Sequence, residues 1–262
     1  MKDISKMRLA GQVSCYLSPP SCSIWPALFL ALQACAYNPA IQREQLLLLS
    51  EPQMQELGAD SWTEYRNQTS EARDPALRAK AERVTNRILA AKGENRSSWE
   101  VVVFDDPALN AFALPGRKIG LNAGMVRFCR TDDELAAIIG HEIAHVELRH
   151  AAERASQDLA ARGIMSVVIP DDTNMESIFG IGTTLGVLLP FSRKYELEAD
   201  QIGLRYMAAA GYDPQAAIDL WSRMADQADR GGTPTFLSTH PADSERIAAL
   251  RAEAERLAKF RT

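Results

Sequence analysis

Residues 131–150 read TDDELAAIIGHEIAHVELRH, and the reading of this stretch decides the fold. Thr131 followed three residues later by Glu134 is a capping box, in which each side chain satisfies an orphan backbone N–H at a helix start. Leu135, Ile138, Ile139, Ile143 and Val146 then recur at helical spacing, which predicts one long buried helix. Inside it lies His141-Glu142-Ile143-Ala144-His145. Residues four apart share a helix face, so the two imidazoles can close on a single zinc ion. Glu142 stands beside the first, where its carboxylate can act as general base toward a water held by the metal. The bland alternative is a solvated surface helix. It fits poorly, because Ile139, Gly140, Ile143 and Ala144 make the turn apolar, and a buried His or Glu needs a partner.

The rest of the chain is consistent with a globular enzyme. Its 262 residues are 46% hydrophobic and 24% charged, which suits one ordinary domain plus extensions. The formal net charge of -5 argues against a nucleic-acid partner, which wants a basic face. Four cysteines, Cys15, Cys22, Cys35 and Cys129, are too few for a disulfide scaffold. No internal repeat is visible.

The N-terminus reads as an address. Lys2, Lys6 and Arg8 give a basic start, and Ile24–Ala34 is an apolar run of signal-peptide length, too short to span a bilayer. Leu32-Gln33-Ala34-Cys35 resembles a bacterial lipobox, with Gln33 departing from the usual small residue. Cleavage there would leave a lipidated Cys35. Ala36 is not the aspartate that signals inner-membrane retention, so a periplasmic protein held at the outer membrane is expected. This divides the chain into a signal peptide (1–34), a tether with an N-terminal helical segment (35–73), and a catalytic domain (74–262).

Along that chain, Asn38–Arg73 is polar apart from Leu46–Leu49 and reads as a tether leading to a first helix. Asp74-Pro75 is a helix start, and Leu77, Val84, Ile88 and Leu89 mark a helix ending at Gly93. Trp99–Phe104 is the clearest strand. Asn110–Gly116 and Lys118–Leu121 predict a strand, a Pro-Gly turn and a second strand. The central helix is expected to continue to about Ala161. Residues 163–190 read as a lid, a membrane-touching segment or a plain connection. Asp213-Pro214 starts a helix to about Ala228, and His240-Pro241 precedes a last one through Ile247, Leu250 and Leu257.

A catalytic zinc needs a third protein ligand and an open position. Phe191–Asp200 opens a helix running through Leu204 and Met207 to Gly211. On it Glu196 is the expected third ligand, and Asp200, one turn on, is placed to accept from a ligating imidazole and fix its tautomer. Glu198, on a different face, competes with Glu196. His150 is expected to be exposed or capping.

Gly140-His141-Glu142-xx-His145 followed by Ser192-Arg193-xx-Glu196-xx-Ala199-Asp200 resembles the paired signature of one gluzincin metallopeptidase family. That family includes CAAX prenyl proteases, HtpX-like membrane proteases and BepA-like periplasmic proteases. Asn110–Gly116 resembles its substrate-side strand, and Ser238-Thr239-His240-Pro241 with Arg246-Ile247 its C-terminal signature. The resemblance covers about Asp74–Leu250 and is strongest to the small lipoprotein members. It implies zinc held by His141, His145 and Glu196, Glu142 as base, and Asp200 behind a ligand.

The expectation is therefore an α+β, predominantly α, zincin-type fold, with a small sheet over Trp99–Leu121 and the two site helices behind it. The expected reaction is endoproteolysis of misfolded or misassembled envelope proteins, the extended substrate pairing near Ala111–Leu114. The alternatives are another zinc hydrolase, or an assembly factor that keeps the zinc site with little proteolysis. His240 has three readings: a loop residue, a latch on zinc's open position, or an oxyanion stabiliser.

Overall fold

The computed structural model describes residues 35–161, 191–229, 234–241 and 244–259. The expected signal peptide and the 163–190 segment lie outside the described residues. Among the described residues, no helix is long and apolar enough to cross a membrane.

The chain begins with an antiparallel hairpin of β1 (Cys35–Asn38) and β2 (Arg43–Leu46), with Cys35 opposite Leu46. The sequence predicts a tether here, and the structure corrects it. Gln45 is buried and donates to the Leu148 carbonyl and to Glu153, while Leu49 packs with Met54, Leu57, Ala155 and Leu159. The hairpin docks through side-chain hydrogen bonds, which leave no apolar pattern to read. Helices α1 (Glu51–Gln68) and α2 (Pro75–Ala91) follow, α2 capped by Asp74, whose side chain accepts from the Ala76 N–H.

A three-stranded sheet comes next, from β3 (Glu100–Phe104), β4 (Ala111–Leu114) and β5 (Lys118–Asn122), in the order β3-β5-β4. β4 and β5 form the expected hairpin, Ala111 opposite Leu121, and β3 lies parallel to β5. The hairpin turns on Gly116 and Arg117, at φ 81° and 62°, a left-handed stretch that glycine adopts freely.

After α3 (Ala123–Phe128) comes the central helix, α4 (Asp132–Glu147). Thr131 Oγ1 accepts from the Glu134 N–H as expected, but Glu134 accepts from the Arg130 N–H at 2.7 Å and pairs with Arg223, so only half of the capping box is direct. Every residue from Glu134 to His145 is buried. The helix does not run on to Ala161. It stops at Leu148, Arg149 takes φ 55°, and α5 (His150–Ala161) starts in a new direction.

The remaining elements are α6 (Arg193–Ala209), α7 (Gln215–Asp229), α8 (Thr235–Thr239) and α9 (Ser244–Ala258). α4 lies between the sheet with α2 on one side and α6 with α7 on the other, while α9 covers α6 and α7. The site helices are thus stacked, α4 on the sheet and α6 behind α4. They meet at two glycines: a Cβ on Gly140 would lie 2.9 Å from the Gly203 carbonyl oxygen, and one on Gly203 would lie 2.8 Å from the His141 nitrogen.

Because both obstructing atoms are backbone, Gly203→Ala must push the helices apart, at a cost of about 1–3 kcal/mol. Thermal unfolding should show a melting temperature lowered by about 3–10 °C. An unchanged transition would mean that the two helices have room to spare.

Candidate metal centre

One turn of α4 and one turn of α6 face each other across that contact. His141 and His145 project from α4 and bring their Nε2 atoms to 3.0 Å of each other. Glu196, from the first turn of α6, places its carboxylate oxygens 3.4 Å from each. His240, at the C-terminal end of α8, brings Nδ1 to 3.2 Å from His141 Nε2 and 3.0 Å from Glu196 Oε1. Donor atoms of these four buried side chains all lie within 4.8 Å of one another. Glu142 is buried beside them, with Oε1 3.6 Å from His240 Nε2.

Behind the donors, Asp200 Oδ1 lies 2.9 Å from His141 Nδ1, one turn along α6 from Glu196 as its spacing predicts. Arg246 is fully buried and holds Asp200 with two bonds of 2.8 Å each, while donating to the carbonyls of His240 and Pro241. Its Nη1 is also 2.8 Å from Glu196. Sequence reasoning gives Arg246 no task. The signal available is its place in the C-terminal signature and the oddity of an arginine on the apolar side of a helix.

Two expectations need correction. His150 is neither exposed nor capping. The left-handed Arg149 swings it back under α4, where Nδ1 is 3.0 Å from His145 Nδ1 and Nε2 is 3.1 Å from Glu198. Glu198 does not compete for the donor cluster, because it faces His150 and Arg43, accepting from the Arg43 guanidinium at 2.6 and 2.8 Å.

Burial sets the electrostatics. It raises the Glu142 carboxyl above its usual range. Burial would raise Glu196 and Asp200 too, but His240 and Arg246 hold Glu196 well below its usual value, and Arg246 foremost does so for Asp200. Burial alone would lower His141, yet Asp200 and Glu196 push it up to about 9. His145 is driven well below its usual value, first by burial.

These residues fit a divalent metal. Donors about 2.0–2.2 Å from a tetrahedral ion lie about 3.3–3.6 Å apart, close to the separations here. Glu196 and Asp200 are set against buried Arg246 and a His141 imidazole whose proton affinity they raise, and a divalent cation bound by the same donors would take the place of that proton. Glu142 Oε1 makes no hydrogen bond, its His240 neighbour standing 3.6 Å away.

An HExxH helix stacked on a second helix that delivers a carboxylate to the same point defines a metallopeptidase of the zincin type. The chain belongs to peptidase family M48, whose family model matches residues 71–254. It is 41% identical over 166 residues to the mitochondrial metalloendopeptidase OMA1 of Schizosaccharomyces pombe, covering 63% of this chain and 49% of that protein. It is 31% identical over 230 residues to the human metalloendopeptidase OMA1, covering 80% of this chain and 44% of the relative. To the β-barrel assembly-enhancing protease of Escherichia coli it is 28% identical over 197 residues, covering 70% and 40%. The chain thus spans about half, or less, of the length of these relatives.

Metal content tests the centre. The chain from residue 35 should carry one divalent metal per molecule by elemental analysis, and His141→Ala or His145→Ala should lose it. Glu142→Gln, which changes no donor, should keep it. Full occupancy in both histidine variants would remove the site from this helix.

Proposed function

We propose that the chain is a zinc-dependent endopeptidase in which His141, His145 and Glu196 hold the ion, Glu142 is the general base and Asp200 orients His141. What carries this reading is the convergence of those three donors on one point, with the buried Glu142 carboxyl beside it. Zinc there would lower the pKa of its water to about 7 and polarise the scissile carbonyl. Glu142 takes the proton of the attacking water and delivers it to the leaving amine. Asp200, clamped by Arg246, accepts the Nδ1 proton of His141 and so fixes the tautomer that leaves Nε2 free to ligate.

An extended substrate fits the same geometry. β4 is an edge strand, and its Ala113 and Leu114, with Pro115 beyond them, line a cavity of about 700 Å³ that reaches His145 and Phe191. A peptide laid along that edge would pair backbone to backbone, which selects an unfolded chain over a folded one. Misfolded or misassembled cell-envelope proteins are therefore the proposed substrates, in keeping with the E. coli relative's name. Cys35 is exposed on β1, which leaves its thiol open to attachment of a lipid. Cys35→Ser should release the protein from washed outer membranes with cleavage unchanged; retention would place the anchor elsewhere.

His240 is proposed as a latch. Its Nδ1 stands at the fourth corner of the donor cluster, against His141 and Glu196, where a catalytic centre must admit water. Against an unfolded reporter, His240→Ala should raise the basal rate several-fold, and Glu142→Gln should abolish cleavage. A kcat lowered by about a hundredfold in His240→Ala would make it an oxyanion stabiliser instead. Unchanged envelope-protein turnover in a Glu142→Gln strain would favour an assembly factor over a protease.

A further inference from the structure

His145 has a second nitrogen, and the proposed function gives its surroundings no task. If Nε2 is the ligating atom, Nδ1 carries the proton and must donate it. The atom it faces, 3.0 Å away, is His150 Nδ1, which must then be the unprotonated, accepting nitrogen of that ring. His150 consequently bears its own proton on Nε2, and Nε2 faces Glu198 Oε2 at 3.1 Å. Each imidazole is left with one tautomer that satisfies both of its contacts. The His150 ring is fixed in plane as well, stacked on Tyr195 with centroids 4.7 Å apart at 20°.

The line ends on a cation. Arg43, on β2, donates Nε and Nη2 to the two oxygens of Glu198 at 2.6 and 2.8 Å, and Nη1 and Nη2 to those of Glu153 at 2.7 and 2.8 Å. One guanidinium therefore bridges the N-terminal hairpin, α5 and α6. Gln45, two residues along the same strand face, donates to Glu153 and to the Leu148 carbonyl, at the turn that redirects the chain into His150. Both oxygens of Glu198 thus accept from the guanidinium, and the carboxylate is left as the acceptor that His150 Nε2 faces.

The arrangement has a counterpart across the site. Asp200 Oδ1 stands 2.9 Å from His141 Nδ1, and Asp200 is held by both nitrogens of the Arg246 fork. We propose that Arg43, Glu198 and His150 form the equivalent positioning relay for His145, longer by one imidazole, and that the N-terminal hairpin is thereby a working part of the metal centre. The proposal rests on the zinc-ligand reading above. None of the three residues touches substrate; they act through His145, by keeping its Nε2 lone pair available and aimed. Outer partners of this kind change metal affinity by about 10–100-fold when removed.

The test measures the zinc dissociation constant of the full chain by competition with a chromophoric chelator, with circular dichroism and melting of the metal-free proteins alongside. Arg43→Gln and His150→Gln should each weaken zinc binding by about 10–100-fold, far beyond any change in metal-free melting. Because they break one line, the double variant should be no weaker than the weaker single within about a factor of three. Arg43→Lys, which keeps the charge and loses the fork, should recover part of the affinity. If Arg43→Gln does not fold, Glu198→Gln makes the same test with an isosteric change, and it too should weaken zinc at least tenfold. Zinc affinity within twofold of the unmodified chain in the folded variants, or losses that multiply in the double, would overturn the relay. An unmodified chain that binds no zinc would overturn the ligand reading and the relay with it, a result distinct from a relay failure.

Discussion

The close approach of Gly140 and Gly203 governs the centre. With no side chain on either helix at the crossing, α4 and α6 touch backbone to backbone. His141 is next to one glycine. Asp200 and Glu196 lie three and seven residues before the other, which on a helix places them on the stripe facing α4. Short carboxylates can therefore reach the imidazoles directly. A larger residue at the crossing would force the two helices apart. The apolar residues on the rest of α4, Leu135, Ile138, Ile139 and Ile143, are fully buried and fix the height of the helix on the sheet.

That proximity concentrates negative charge in a place without solvent. Arg246 offsets part of it and does more than neutralise. Its fork sets the plane of Asp200, and its remaining nitrogen holds the carbonyls of His240 and Pro241, so one buried cation ties α9, α6 and the loop after α8 together. Breaking such a pair on one side leaves a buried charge uncompensated, worth about 3–5 kcal/mol. The cluster is thus assembled as a unit, and the stacked ring of Phe236 against His240 closes its apolar side.

How much of this is legible in the sequence depends on the period of each signal. The α4 motif, the Glu196–Asp200 turn and the β4–β5 hairpin show themselves because their residues repeat at 3.6 or 2 along one element. Asp74 and Asp213 announce helix starts through local bonds to Ala76 and Gln215. What stays hidden is whatever depends on pairing across elements. Arg43 and Gln45 look like solvated residues of a polar stretch, and only the fold brings them to Glu153 and Glu198, more than a hundred positions away. His150 is misread for a related reason: a helix continued past Leu148 would carry it away from His145, and nothing in Leu-Arg-His announces a left-handed residue. That Glu134 accepts from the Arg130 N–H rather than from that of Thr131 is a smaller slip of the same origin, since Arg223 claims that carboxylate from α7.

The left-handed Arg149 has a consequence for chain length. Because α4 ends and α5 begins around this one residue, the interval from His145 to His150 is a measured distance, not a linker. One residue more or fewer would turn the start of α5 by about 100° relative to α4 and carry the His150 ring out from beneath His145. The side chains of Val146, Glu147 and Arg149 are partly exposed, so the number of residues at this corner is fixed more tightly than their surface contacts. At this corner the tolerance of the chain is to identity and not to number.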